Sequence, residues 1–137
     1  ILCADIHLSL NPPIWRSAEP DWFAAMARPL KEIRAIQKTN NDCPILCAGD
    51  IFDKWNSSAE LINFAMENLT PHMICIHGQH DSPLHNYKDI KKSAYWTLVG
   101  SGTISDQNYY DHILSKDNLA VHGFPFNNKI RCNTCHY

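Results

Sequence analysis

Asp5-Ile6-His7, Gly49-Asp50-Ile51-Phe52-Asp53 and Gly78-Gln79-His80-Asp81 gather carboxylates, imidazoles and a side-chain amide into three short clusters. Carboxylate oxygen, imidazole nitrogen and amide oxygen are the donors that hard and borderline divalent metal ions take. Each cluster follows an apolar run: Ile1-Leu2-Cys3-Ala4, Ile45-Leu46-Cys47-Ala48 and Met73-Ile74-Cys75-Ile76. A short apolar run ending in a polar turn reads as a buried strand of a parallel sheet. Such strands would bring the clusters together at the carboxyl edge of one sheet, where open α/β sheets bind ligands. Asp5 and His7, two apart on an extended strand, would point to the same side.

The segments between the clusters supply the elements that must position them. Over residues 19–38, Trp22, Met26, Leu30, Ile33 and Ile36 mark one helical face. Pro20 suits a first turn, and Pro29 is expected to kink or divide this helix. Asn40-Asn41-Asp42 reads as a loop. Ser57-Ser58-Ala59-Glu60 reads as a capping box opening a helix through Leu69, with Leu61, Phe64, Ala65 and Asn68 along one side. Thr70-Pro71 ends it. The order β-α-β-α-β predicts an α/β fold with a parallel sheet and right-handed crossovers. Further on, a helix is predicted over residues 89–99, closed by Gly100-Ser101-Gly102. Short strands over 103–105, 110–114 and 119–124 would belong to a second sheet.

At 137 residues the chain is the size of one domain and long enough to bury a core. Twelve basic against fourteen acidic residues leave a net charge of −2, with none of the basic excess usual in stand-alone nucleic-acid binders. A nuclease whose metals hold the phosphate and whose partner supplies the basic surface remains compatible with that balance. No apolar stretch approaches a membrane span and no signal peptide is visible, so no membrane is expected as a partner. Cys3, Cys47 and Cys75 sit inside predicted strands, where they would serve as small apolar side chains. That usage points to a reducing, cytoplasmic setting. The chain opens directly on strand residues without an initiator Met. The expectation is one domain over residues 1–137, clipped at both ends.

Asp-x-His, Gly-Asp-x-x-Asp and a Gly-Asn-His-Asp-like turn, in that order, resemble the calcineurin-like metallophosphoesterases from Ile1 to at least Asp81. Gly-Asp-Ile-Phe-Asp followed by a helix is most similar to the branch of SbcD-type DNA repair exonucleases and their phage relatives. The resemblance implies the α/β sandwich of that superfamily, with the metal site at the carboxyl ends of the strands. It also implies two divalent ions, Mn²⁺ first, with Fe, Zn or Mg as alternatives. Asp5 and His7 would bind the first ion, Asp50 would bridge the two, and Gln79 would bind the second through its amide oxygen. A metal-bridging hydroxide would be the nucleophile in an in-line displacement. His80 would meet the phosphate and protonate the leaving oxygen, Asp81 would hold the His80 ring, and Asp53 would support the loop from behind. DNA is the implied substrate and an SMC-like ATPase the implied partner.

This sequence departs from the family pattern at residue 79, where Gln replaces Asn and the amide sits one methylene further out. The family also carries a later lone histidine, then a Gly-His-x-His motif. His136, in Cys135-His136-Tyr137, is the expected ligand, and His122, in Val121-His122-Gly123, competes with it. No Gly-His-x-His occurs here, which puts the activity of the fragment by itself in doubt.

Other readings stand beside this one. A phosphatase or cyclic-nucleotide phosphodiesterase on small substrates would use the same residues. A degenerate fold kept as a binding module would need none of them to be active. Each cluster taken singly could be an ordinary loop: Asp5 a helix cap, Asp50 and Asp53 turn residues, Gly78 to Asp81 a simple turn. Cys132-Asn133-Thr134-Cys135-His136 matches the c-type haem attachment pattern, but leaves no room for a haem pocket. The same two cysteines could make half a zinc site, without a second pair suitably placed. His72, His77, His85 and His112 read as surface or structural residues. Of the tryptophans, Trp55 stands out because it follows Asp53 near the expected metal edge.

Overall fold

Four short strands, β1 (Leu2–Cys3), β2 (Leu46–Cys47), β3 (Met73–Cys75) and β4 (Ile104–Asp106), lie side by side in chain order, all parallel. The computed structural model describes residues 1–107, 112–114, 119–121 and 123–126. His122, Cys132, Cys135 and His136 therefore lie outside the described residues. Register sets Leu2 beside Leu46 and Leu46 beside Ile74; one step on, Cys3, Cys47 and Cys75 are level. Residues level across a parallel sheet share a face. The cysteine row faces the core: Cys47 and Cys75 are buried among Leu8, Ile51, Phe52 and Leu61, with Cys3 packed against them. A hydrogen bond with Cys47, together with burial, holds the Cys3 thiol well above its ordinary range. These cysteines are free thiols that pack as small apolar side chains, as their sequence context predicts.

Helices α1 (Trp22–Thr39), α2 (Ala59–Asn68) and α3 (Ala94–Gly100) join consecutive strands. Asp21 caps α1, its carboxylate accepting from the Ala24 amide at 2.9 Å, so Pro20 precedes the cap instead of opening the first turn. Pro29 does not divide α1. Its own ring is exposed, although the Ala25 carbonyl that loses its amide partner belongs to a buried residue. Met26, Ala27 and Leu30, all buried, hold the helix to the core through that point. The expected capping box is not formed either. The cap of α2 is Ser58, accepting from Leu61 N at 3.3 Å, while Ser57 Oγ turns back to the Lys54 carbonyl at 2.8 Å. The helix predicted over 89–99 is two pieces, a 3₁₀ segment (Tyr87–Lys92) and α3, because the Ser93 hydroxyl caps α3 at Trp96 N.

β4 joins the parallel sheet beside β3, not a second sheet as the sequence suggested. Two further strands, β5 (His112–Leu114) and β6 (Leu119–Val121), pair as an antiparallel ribbon. Past β6 the chain returns to the main sheet. Gln107 Nε2 donates to Val121 O at 3.2 Å and Phe126 N donates to His77 O at 3.3 Å. Gly123 is needed there, since a Cβ would come within 2.7 Å of Gln107 Cγ and overlap Ile76. Among the described residues no helix is long and apolar enough to cross a membrane.

Candidate metal centre

Beyond the short strands, the sheet edge is prolonged by its loops. Asp5 N donates to Gly49 O at 3.1 Å, His7 N to Asp50 O at 2.9 Å, and Leu8 N to Ile51 O at 2.8 Å. The loop after β1 is thus zipped along the loop after β2. Asp5 and His7 are not on an extended strand as expected. With Asp50 they occupy the left-handed region, at φ 55°, 48° and 53°. Side chains seldom adopt that conformation unless the surroundings enforce it, and such residues cluster at functional sites.

The third loop locks onto the second. His80 N donates to Asp50 Oδ1 at 2.8 Å. The Asp81 carboxylate is wholly buried and accepts from Ile51 N at 3.3 Å, Phe52 N at 3.2 Å and Gly78 N at 3.0 Å. Burial pushes the Asp81 carboxyl up from its ordinary range, against the pull of those amides. The two loops meet at their glycines. A Cβ on Gly49, at φ 99°, would lie 2.5 Å from Gly78 N, and one on Gly78 would lie 2.5 Å from Asp50 N. Both sites therefore require glycine on grounds of space.

Two groups of donor atoms result. Asp5, His7 and Asp50 bring theirs within 4.8 Å of one another, and so do His7, Asp53 and His80. His7 belongs to both. Its Nε2 stands 3.6 Å from Asp5 Oδ1 and its Nδ1 3.8 Å from Asp53 Oδ1, with the His80 ring edge-on at 4.8 Å. These separations are too long for hydrogen bonds. Metal–ligand bonds of about 2.0–2.2 Å set two donors on one ion at such spacings. Oxygen and imidazole donors, partly exposed and mutually unbonded, fit a divalent ion.

His80 Nδ1 stands 2.8 Å from the Asp53 carbonyl. A carbonyl only accepts, so this nitrogen carries the proton in that contact. The expected partnership between Asp81 and the His80 ring is thereby corrected. Asp81 spends both oxygens on amides, and the ring is held by Asp53. The Asp53 carbonyl holds the His80 ring, and its carboxylate stands with His7 and His80. Its spacing, three residues after Asp50 in the same loop, was the available signal. Gln79 is exposed, and its carbonyl receives Ser82 N and His85 Nδ1. His77 is buried and stacked on Tyr87 at 5.0 Å, with burial pushing its pKa down, so it is structural as expected.

A comparison with protein families matches residues 1–135 to the calcineurin-like phosphoesterases. The chain belongs to that family. Its mixed α/β fold with a four-stranded parallel sheet is the family's, and the protein is a metal-dependent phosphoesterase, a hydrolase. No curated protein matches the chain significantly. For a calcineurin-like phosphoesterase the donor cluster at the sheet edge is the natural place for divalent metal ions.

Proposed function

We propose that this phosphoesterase hydrolyses phosphodiester bonds in DNA at a two-metal centre, in the manner of the SbcD-type repair exonucleases that its Gly-Asp-Ile-Phe-Asp loop resembles. The observation that carries the reading is the meeting of Asp5, His7 and Asp50 with His80 at one sheet edge. Asp5, His7 and Asp50 would hold the divalent ions, with Gln79 and, by the family pattern, His136 as the further donors. Mn²⁺ is the favoured metal, ahead of Fe, Zn or Mg. Bound there, a divalent pair supplies Lewis acidity that neutralises the phosphate and activates water.

The chain's own residues do the rest. Asp50 Oδ1 fixes the His80 backbone, and the Asp53 carbonyl fixes the ring with Nδ1 protonated. His80 Nε2 then points at the substrate and, when it too carries a proton, delivers it to the departing oxygen. Asp81 acts as a positioning residue, locking the Gly78–Asp81 turn to Ile51 and Phe52. An SMC-like ATPase partner in the cytoplasm would supply the DNA-binding surface that a net charge of −2 does not. Linear duplex DNA and bis-nitrophenyl phosphate, each with Mn²⁺, separate the substrate readings. DNA degradation supports the nuclease. Turnover of the small ester with DNA left intact overturns it in favour of a small-substrate phosphodiesterase.

A further inference from the structure

Two clefts flank the loop that follows Asp50. One, of about 250 Å³, is lined by His80, Ser82, Trp55 and His85, and the other, of about 220 Å³, by Leu8, Ser9, Asn11 and Ser58. Asp53, Lys54 and Asn56 line both and form the ridge between them. The ridge is pinned at three successive carbonyls. Asp53 O accepts from His80 Nδ1, Lys54 O from Ser57 Oγ, and Trp55 O from Ala94 N, at 2.8, 2.8 and 2.7 Å.

A backbone held this firmly carries a side chain that is uncommitted. Lys54 is exposed, and among the described residues its ammonium makes no hydrogen bond or ion pair. Arg16 and Arg28 both pair with Glu19, at 2.8 and 3.0 Å, and Lys92 pairs with Asp89 at 2.7 Å, while Lys31, Lys38 and Lys88, exposed and unpaired among the described residues like Lys54, line neither cleft. Among the described residues, Lys54 is the sole Lys or Arg lining either cleft. An ammonium on a flexible four-carbon stem suits a mobile anion approached from one side.

We infer that Lys54 is a specificity-determining residue, which engages a second phosphate of the substrate, next to the one being hydrolysed. The inference rests on the phosphodiesterase reading above. It narrows the substrate class to chains or nucleotides carrying a further phosphate beside the scissile one, and it makes single-phosphate diesters the poorer ligands. The cleft holding Trp55 and His80 has Lys54 in its lining as well.

The test is calorimetric binding of thymidine 3′,5′-bisphosphate and thymidine 5′-monophosphate to the Mn²⁺-loaded protein, for the parent, Lys54→Gln and Lys54→Arg. The parent is expected to favour the bisphosphate about fivefold beyond the monophosphate, the size of one exposed ion pair. Lys54→Gln should bring that ratio to about one, while Lys54→Arg keeps it and added salt shrinks it. A general loss of fold or metal would weaken both ligands and leave the ratio alone. A parent ratio near one, or a ratio that survives in Lys54→Gln, overturns the inference. DNA cleavage by the parent, assayed in parallel, reports on the nuclease reading separately, because the binding ratio needs no turnover.

Discussion

Asp81 is the residue on which the geometry of the edge depends most, and its removal has a calculable cost. Its Oδ2 accepts from Ile51 N and Gly78 N, its Oδ1 from Phe52 N, and the side chain is wholly buried. Asn in its place can set its single oxygen where Oδ2 lies and keep the first two bonds. Its amide nitrogen then faces the Phe52 N–H, donor against donor. One bond to a charged acceptor is lost and one amide stays buried without a partner, so Asp81→Asn should cost about 2–3 kcal/mol. Ala keeps none of the three bonds and should cost at least about 4 kcal/mol. In urea unfolding, with a slope of about 2 kcal/mol per molar, those costs move the midpoint down by roughly 1 M and 2 M. The graded order is the signature of the amide lock. Equal shifts for the two variants, or an Ala variant within about 0.5 kcal/mol of the parent, would refute it.

Gly78→Ala should weaken Mn²⁺ binding at least about tenfold by calorimetry, because the added Cβ lies 2.5 Å from Asp50 N and overlaps its Oδ1. Unchanged affinity would mean that Asp50 is not a ligand in this position. Ser58→Ala should lower stability by about 1 kcal/mol through loss of the α2 cap, and Ser57→Ala by less, since Ser57 only bonds the Lys54 carbonyl from an exposed site. Urea midpoints in the reverse order would restore Ser57 as the cap. His80→Ala should slow hydrolysis of an alkyl phosphodiester about 100-fold but a nitrophenyl ester far less, because the nitrophenolate leaves without a proton. Equal losses on both esters would remove His80 from the role of acid.

The positions of the three clusters were legible because each follows a short apolar run, and in the structure Leu46–Cys47 and Met73–Cys75 are strands within those runs. Helices α1 and α2 were legible from their apolar faces. Pro29 misled because the packing of Met26, Ala27 and Leu30 against the core carries the helix past the one amide that proline removes. The place of β4 was hidden because Ile104 and Asp106 are buried against β3 while alternation over three residues carries little information. At the site, residue types announced metal chemistry. The partners did not show, since the Asp81 bonds run to backbone amides and the His80 bond to a backbone carbonyl. A sequence displays side chains, and all of these contacts but the local one to Gly78 N are made with the main chain 27 to 30 residues away. The left-handed conformations of Asp5, His7 and Asp50 suit residue types that tolerate that region and lie within the zipped loops.

The central claim is a two-metal centre built around Asp5, His7 and Asp50, and the most direct measurement is electron paramagnetic resonance of the protein titrated with Mn²⁺. The account predicts two ions per chain whose spectra are exchange-coupled, as for metals roughly 3.5–4 Å apart, with the coupling lost in Asp50→Asn. Isolated Mn²⁺ signals at every loading, unchanged by Asp50→Asn, would contradict it.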